Sequence, residues 1–279
     1  MNKNLRLFAL GVVALALSSS LGCDKLRARD QLNKGVEAYK NTHYEQAIDH
    51  FQQALNLDPG LLNARMYLAT AFVSQYIPGV ESPENIANAN QAIEQYQKVL
   101  DSAGTARDQR VNSAKGIAYL YLNMKKFDDA KKFYRMASDA DPNDPEPYYS
   151  VGVIDWTACY APRMEARAKL GLKPEENLNP KDKEQKKVCG ELKEKNASSI
   201  KEGLDSLSKA IELRPDYDDA MAYMNLMYRE RADVECDDLA ARAEDLKTAD
   251  GWVDKTLAAK KTKAEKQAAA AARGETIDK

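Results

Sequence analysis

The hydrophobic pattern changes character along the chain, and the change divides it. Met1 to Arg6 carries two positive charges and no acid, Leu7 to Leu17 is an apolar run containing one Gly, and Ser18-Ser19-Ser20 is small and polar. This is the three-part layout of a secretory signal. The run is 11 residues long, whereas about 20 are needed to span a bilayer as a helix, so the segment is expected to be cleaved rather than to remain as an anchor. From residue 28 onward, short apolar segments alternate with polar ones at helical spacing, and small and aromatic residues return in a fixed order with a period near 34. In residues 28–61 the order is Gly35, Ala38, Tyr39, Tyr44, Ala47, Phe51, Ala54, Leu55 and Asp58-Pro59. In residues 111–144 it is Ala118, Tyr121, Phe127, Ala130, Tyr134, Ala137 and Asp141-Pro142.

These residues stand at the spacing of the tetratricopeptide repeat, which the chain resembles over roughly residues 28 to 258 apart from its insertions. Each repeat of that family is a pair of antiparallel helices. Small residues at positions 8, 20 and 27 let the two backbones approach, aromatics at 17 and 24 fill the space beside them, and Pro at 32 ends the second helix. One hairpin cannot bury its apolar face alone, so neighbours must stack. The resemblance implies an all-α fold, a right-handed helical solenoid of about five helix pairs, two of them interrupted by insertions.

The remaining repeats are placed by the same phase, at 62–104, 145–215 and 218–258. An insertion at about 75–86 holds Pro78-Gly79 and then Ser82-Pro83-Glu84, which reads as a capping Ser with Pro in the first turn and lengthens the second helix at its start. A larger insertion at about 157–199 reads as a short helix from Met164 to Leu170, ended by Gly171 and Pro174. Asn179-Pro180 then resembles the cap of a long helix with breaks at Gly190 and Asn196-Ala197-Ser198-Ser199. The last pair has a weak second helix around Ala249, Val253 and Leu257, and residues 259–279 form a Lys/Ala-rich tail, a frayed helix or a disordered segment.

Composition agrees with a folded helical body: 44% hydrophobic and 30% charged residues, with 14 Tyr against 5 Phe and 2 Trp. The formal charge of −2, from which signal removal subtracts Lys3 and Arg6, argues against a nucleic-acid partner. No phosphate-binding Gly-rich loop, Gly-x-Ser-x-Gly elbow or paired-His zinc motif occurs. His43 and His50 read as surface residues, no metal or other cofactor is expected, and acidic pairs such as Asp128-Asp129 and Asp237-Asp238 suit helix starts. The chain is therefore expected not to be an enzyme. In an oxidising compartment Cys159 with Cys189 would close the large insertion. Cys189 with Cys236 is the other pairing, and three free thiols the third possibility.

Leu21-Gly22-Cys23 resembles the lipobox of bacterial lipoproteins, with Ser20 departing from the commonest residue there. The likeness implies a signal peptide over 1–22, lipid attachment at Cys23, a tether over 23–27 and a place in the bacterial cell envelope at the periplasmic face of a membrane, the leaflet left open. In the repeat family the first helices line a groove that binds polypeptides. The matching positions here are Leu32, Val36, Tyr39, Met66, Thr70, Val73, Lys115, Tyr119, Leu122, Tyr149, Val153 and Trp156. Of the Lys and Asn clamp that chaperone-binding members use for a carboxylate, only Lys115 is present. The expected partner is thus a protein or peptide, held by an apolar, aromatic groove that either receives that partner or is filled by the chain's own segments. The expected role is a membrane-tethered scaffold. The rivals are a subunit of an envelope assembly, docking through residues 258–272, and an enzyme or glycan-binding protein using the insertion at 157–199.

Overall fold

The computed structural model describes residues 23–173, 176, 178–179 and 181–273. Residues 1–22, with the expected signal segment and Leu21-Gly22, residues 174–175, 177 and 180, with Pro174 and Pro180, and residues 274–279 lie outside the described residues. Every regular element among the described residues is helical: α1 over residues 23–40, α2 Tyr44–Leu57, α3 Leu62–Gln75, α4 Pro83–Leu100, α5 Arg107–Asn123, α6 Phe127–Ala140, α7 Pro145–Lys169, α8 Lys183–Leu213, α9 Asp218–Asp233 and α10 Leu239–Ala272. None is long and apolar enough to cross a membrane. The helices pair in order, and the chain divides into two compact units, one through Phe133 and one from Tyr134 onward.

In the first unit Ala38, Ala47, Phe51, Leu68, Phe72, Ala89 and Ala92 form the core. The aromatic positions of the repeat act as its spacing requires: Phe51 is fully buried and its ring lies against the backbone of Gly35, leaving no room for a side chain there. The two best-formed repeats share their turns. Asn41 N donates to Glu37 O and His43 N to Ala38 O, with Thr42 at φ 60°; Met124 N donates to Leu120 O and Lys126 N to Tyr121 O, with Lys125 at φ 59°. Each turn closes the first helix through a left-handed residue, the usual exit from an α-helix. The Asp-Pro turns match as well. Asp58 Oδ1 accepts from Gly60 N at 3.1 Å and Asp141 Oδ1 from Asn143 N at 3.2 Å.

The loop between α3 and α4 is held from inside. Ser82 Oγ accepts from Asn85 N with Pro83 in the first turn. Asn85, 5% exposed, accepts from Ile77 N at 2.7 Å and donates to Ile77 O at 2.8 Å and Val80 O at 2.7 Å. The loop's backbone groups are thereby bonded although no regular element contains them.

The second unit departs from the sequence expectation. Residues 157–199 do not form a separate short helix and a broken long one. α7 continues without interruption to Lys169 and α8 runs unbroken for 31 residues, about 46 Å at 1.5 Å per residue. Asp182, not Asn179, caps α8, accepting from Glu184 N and Gln185 N at 3.0 and 2.9 Å. Pro162 stands inside α7, where it removes one helical hydrogen bond. Its neighbours Cys159 and Arg167 are buried, and burial on both sides of the Pro keeps the helix going. Asn196, expected at a break, is 3% exposed and donates to the Cys159 carbonyl at 3.3 Å.

Of the two expectations for the tail, the helix is the one found. α10 extends to Ala272, 34 residues in all, so residues 259–272 are helical. Thr256 is buried while Leu257 is 61% exposed; the inward face runs through Asp245, Ala249 and Thr256, and Leu257 lies off it.

The expected Cys159–Cys189 bridge is corrected as well. Cys189 is joined to Cys236, with Cα atoms 5.8 Å apart, and Cys159 is not in a disulfide. Helix geometry explains the choice. Cys159 stands opposite Asn196 on α8, seven residues beyond Cys189, which is about 10 Å along the helix. Cys189 instead meets the turn that joins α9 to α10.

Candidate functional site

The first unit holds nine of the twelve groove positions. None of them is fully buried. Leu32, Val36, Tyr39 and Val73 lean on the core cluster from outside. Tyr39 OH and Ser74 Oγ are 2.9 Å apart, linking α1 to α3. Thr70 donates to Met66 O at 2.9 Å and its hydroxyl lies 3.1 Å from Tyr96 OH. Burial raises the Tyr96 phenol, the Thr70 bond opposes that shift and the neighbouring Tyr39 adds to it. Lys115 and Leu122 are half-buried, and Tyr119 is 42% exposed, with its carbonyl taken by Asn123 Nδ2 at 2.8 Å. These positions therefore make a continuous outer face on α1, α3 and α5 rather than a second core.

In the second unit the structure gathers Tyr149 and Trp156 into a longer aromatic row. Tyr217 and Tyr149 have ring centroids 5.0 Å apart, Tyr149 and Tyr223 5.7 Å, Tyr223 and Trp156 5.5 Å, Trp156 and Tyr160 5.0 Å. Both contacts of Tyr223 are edge-on, at 77° and 79°, the arrangement that aligns a ring's positive edge with its neighbour's negative face. Arg163 lies 5.2 Å over Tyr160 and Arg214 4.3 Å over Tyr217, so a guanidinium stands at each end. Val153 sits between Tyr149 and Trp156 on α7, half-buried. Three members of the row escape sequence reasoning: Tyr160 falls at the start of the large insertion, beyond the fourth repeat's groove positions, and Tyr217 and Tyr223 stand at the start of the degenerate fifth repeat, off the family's groove positions.

The row is acidic in its surroundings at one end. Burial pushes the Tyr217 phenol up to about 12; Arg214 opposes the shift, and Glu146, Asp219 and Asp144 add to it. Burial, then Tyr223, Asp219 and Tyr217, raises Tyr149 far above its ordinary value. Tyr223 is raised by burial and Asp219. All three keep their protons at neutral pH and remain hydrogen-bond donors.

At the other end α7, α9 and α10 are clasped by charge. Arg163 donates to Glu230 through Nε at 2.8 Å and Nη2 at 2.7 Å, and to Asp233 through Nη1 at 2.9 Å. Arg167 stands 3.1 Å and Arg242 3.7 Å from Asp233. Burial raises the Glu230 carboxyl and Arg163 opposes it; burial lowers the Arg167 guanidinium and Asp233 opposes it. Cys189, Cys236, Asp233 and Arg242 line one small hollow, so the disulfide closes this end. The two histidines stand apart from both surfaces: His43 is exposed in the α1–α2 turn and His50 Nδ1 lies 2.8 Å from Gln31 Oε1.

Residues 28–61 and 116–144 match the family described as Tetratricopeptide repeat. No curated protein matches the chain. Among solved structures, a crystal structure of MamA protein is 14% identical with a TM-score of 0.54, covering 86% of this chain and 94% of that one. A second crystal structure of MamA is 15% identical with a TM-score of 0.52, covering 83% and 96%. MamA from Desulfovibrio magneticus RS-1, residue 41 to the end, is 13% identical with a TM-score of 0.52, covering 85% and 96%. At these identities the likeness is one of fold: helix-pair repeats along most of the chain.

Proposed function

We propose that this chain is a membrane-tethered scaffold of the bacterial envelope that binds other polypeptides through its helix-pair repeats and carries no catalytic chemistry of its own. The observation that carries the reading is the aromatic row along α7 and the start of α9, where Tyr149, Trp156, Tyr160 and Tyr223 pack ring on ring and yet stay partly open to solvent while Tyr217 is buried. Tyr and Trp at a surface supply large contact area at low entropy cost, the composition of binding hot spots. The outer face of α1, α3 and α5, with Tyr119 at its edge, is the second contact surface of the same kind.

Two further features support the compartment. A disulfide between Cys189 and Cys236 suits an oxidising environment outside the cytosol. Cys23 is exposed at the start of α1, where a lipid would extend away from the folded body, and two or more acyl chains give stable anchoring at about 0.8 kcal/mol per buried CH₂.

The test has two arms. Cys23→Ser should move a folded chain out of the membrane fraction, and unchanged membrane association would remove the tether from the proposal. Photocrosslinking from position 160, which is 39% exposed at the end of the row, in the native envelope should yield one defined protein adduct that disappears when Tyr149 and Trp156 are changed to Ala in the same chain. An adduct pattern indifferent to those changes would remove the aromatic row.

A further inference from the structure

The bridge between α8 and the α9–α10 turn is unequal at its two ends. Cys189 is 3% exposed, while Cys236 is partly open to solvent. Beside Cys236 lies an open hollow lined by Lys186, Gly190, Lys193, Glu235, Asp237 and Asp238. Gly190 keeps that hollow clear. It is exposed, it follows Cys189 on α8, and among the described residues nothing lies within 4 Å of the place where a side chain there would begin. Access decides which sulfur of a disulfide is attacked, and here one sulfur faces the approach while the other is covered.

The surroundings also suit an exchange that can be undone. Lys186 and Lys193 stand three residues before and four after Cys189 on α8, one turn away on each side. They pair with Asp237 at 2.7 Å and Glu235 at 3.0 Å, the two chain neighbours of Cys236, so two ion pairs straddle the bridge. Val234 is buried in the core cluster of the unit and fixes the turn more firmly than exposed ion pairs do. When the bridge opens, these contacts keep Cys236 beside Cys189, and the two thiols remain placed to close again.

We infer that the Cys189–Cys236 bridge is a thiol-exchange site, entered at Cys236 from this hollow by an external dithiol. One thiolate of the dithiol attacks Cys236 Sγ. The new S–S bond forms as the Cys189–Cys236 bond breaks, and the electron pair leaves on Cys189 Sγ, which takes up a proton from water. The second thiolate of the dithiol then attacks its partner sulfur in the mixed disulfide and releases Cys236. The dithiol loses two electrons and the bridge gains them. The inference depends neither on the lipid tether nor on the aromatic row.

The experiment treats the full oxidised chain in detergent with 2-mercaptoethanol, stops the reaction with N-ethylmaleimide and maps the peptides without reductant. The expected product carries mercaptoethanol on Cys236 and maleimide on Cys189, exceeding the reverse arrangement by about tenfold because only one sulfur is accessible. Its rate should rise in proportion to thiol concentration and stay flat in low urea, the marks of attack on the folded chain. Gly190→Leu should slow it by about tenfold by filling the approach without lowering the melting point, since Leu is the better helix former. Gly251→Leu, at another open helical glycine, should leave the rate unchanged. Adducts shared equally between the two cysteines, a rate that saturates with thiol and climbs with urea, or a rate indifferent to Gly190→Leu would each overturn the inference. Melting curves identify a variant that has failed to fold, and the position of the adduct is read on the wild-type chain alone. Dithiothreitol and a protein dithiol of the Cys-x-x-Cys type, compared per thiolate, separate the two sources: a faster protein reaction assigns a protein partner, and an equal or slower one a small dithiol.

Discussion

The Phe51 ring stands where a side chain on Gly35 would begin: a Cβ there would lie 2.5 Å from Cε1 and 2.6 Å from Cδ1. Phe51 is fully buried, so the ring has little room to withdraw. Gly35→Ala should therefore lose about 1–3 kcal/mol to overpacking, more than the roughly 1 kcal/mol that Ala gains over Gly in a helix. Gly190 is the internal control, mid-helix with nothing within 4 Å of the same position. Gly190→Ala should gain about 0.5–1 kcal/mol. Urea unfolding of both variants checks the opposite signs; a stabilised Gly35→Ala would contradict the packing.

Asn85 is the second position where one side chain determines a local structure. Asn85→Ala would leave Ile77 N, Ile77 O and Val80 O without the partner that now bonds them. Each lost bond to an interior group costs about 1 kcal/mol or more, so a loss of roughly 2–3 kcal/mol is expected. Amide exchange should speed up at Ile77 and Val80, while the helices α3 and α4 keep their protection. Unchanged exchange at Ile77 would show that the loop has another support.

The charge clasp gives a prediction with a pH signature. Arg163→Met would strand Glu230, whose side chain is 2% exposed, and removing one partner of a buried pair costs about 3–5 kcal/mol. Glu230→Gln should cost less, since the amide keeps an acceptor for Arg163. Burial holds the Glu230 carboxyl above the ordinary value of 4.5. Between 4.5 and that higher value the folded state binds the proton more tightly than the unfolded one, so this group's contribution to stability falls as pH rises through the window. The wild-type chain should accordingly gain stability relative to Glu230→Gln on going from neutral pH toward pH 5. Parallel pH profiles for the two proteins would refute the assignment.

Reduction should weaken the second unit. The bridge spans a sequence separation of 47 residues, and closing a loop of that size restricts the unfolded chain by on the order of 4 kcal/mol. Replacing Cys189 and Cys236 together by Ser should lower the stability of this unit by about 2–4 kcal/mol. Peptide mapping without reductant should recover the two linked segments and an alkylatable Cys159. A linked Cys159 peptide would reverse the pairing.

Where the repeat pattern is dense, the structure follows it residue by residue. Gly35, Ala47, Phe51 and Ala54 in one repeat, and Ala118, Ala130, Tyr134 and Ala137 in another, bury or approach as their spacing demands, because these positions encode local helix pairing. Ser82-Pro83 marked a helix start for the same reason: caps are local. The continuity of α7 and α8 was not legible, since Pro162, Gly190 and Asn196 carry breaking tendencies that only tertiary contacts overrule, and those contacts join residues 37 or more apart. The disulfide partner followed from that continuity. Arg163, Glu230, Asp233 and Arg242 come from three helices, and no spacing in the sequence announces that they meet. The aromatic row was half visible: Tyr149 and Trp156 fall on family positions, while Tyr217 and Tyr223 belong to a repeat whose pattern has eroded.

The single covalent cross-link also sets how the chain responds to mechanical load. A polypeptide drawn out from both ends gains about 3.5 Å for each residue released. The segment between Cys189 and Cys236 cannot contribute while the bridge is intact, which withholds roughly 160 Å of contour from a chain stretched by its termini. In a force–extension trace the oxidised protein should therefore finish unfolding short of the reduced one by that length. The missing length would be a direct reading, on one molecule at a time, of which two cysteines are joined.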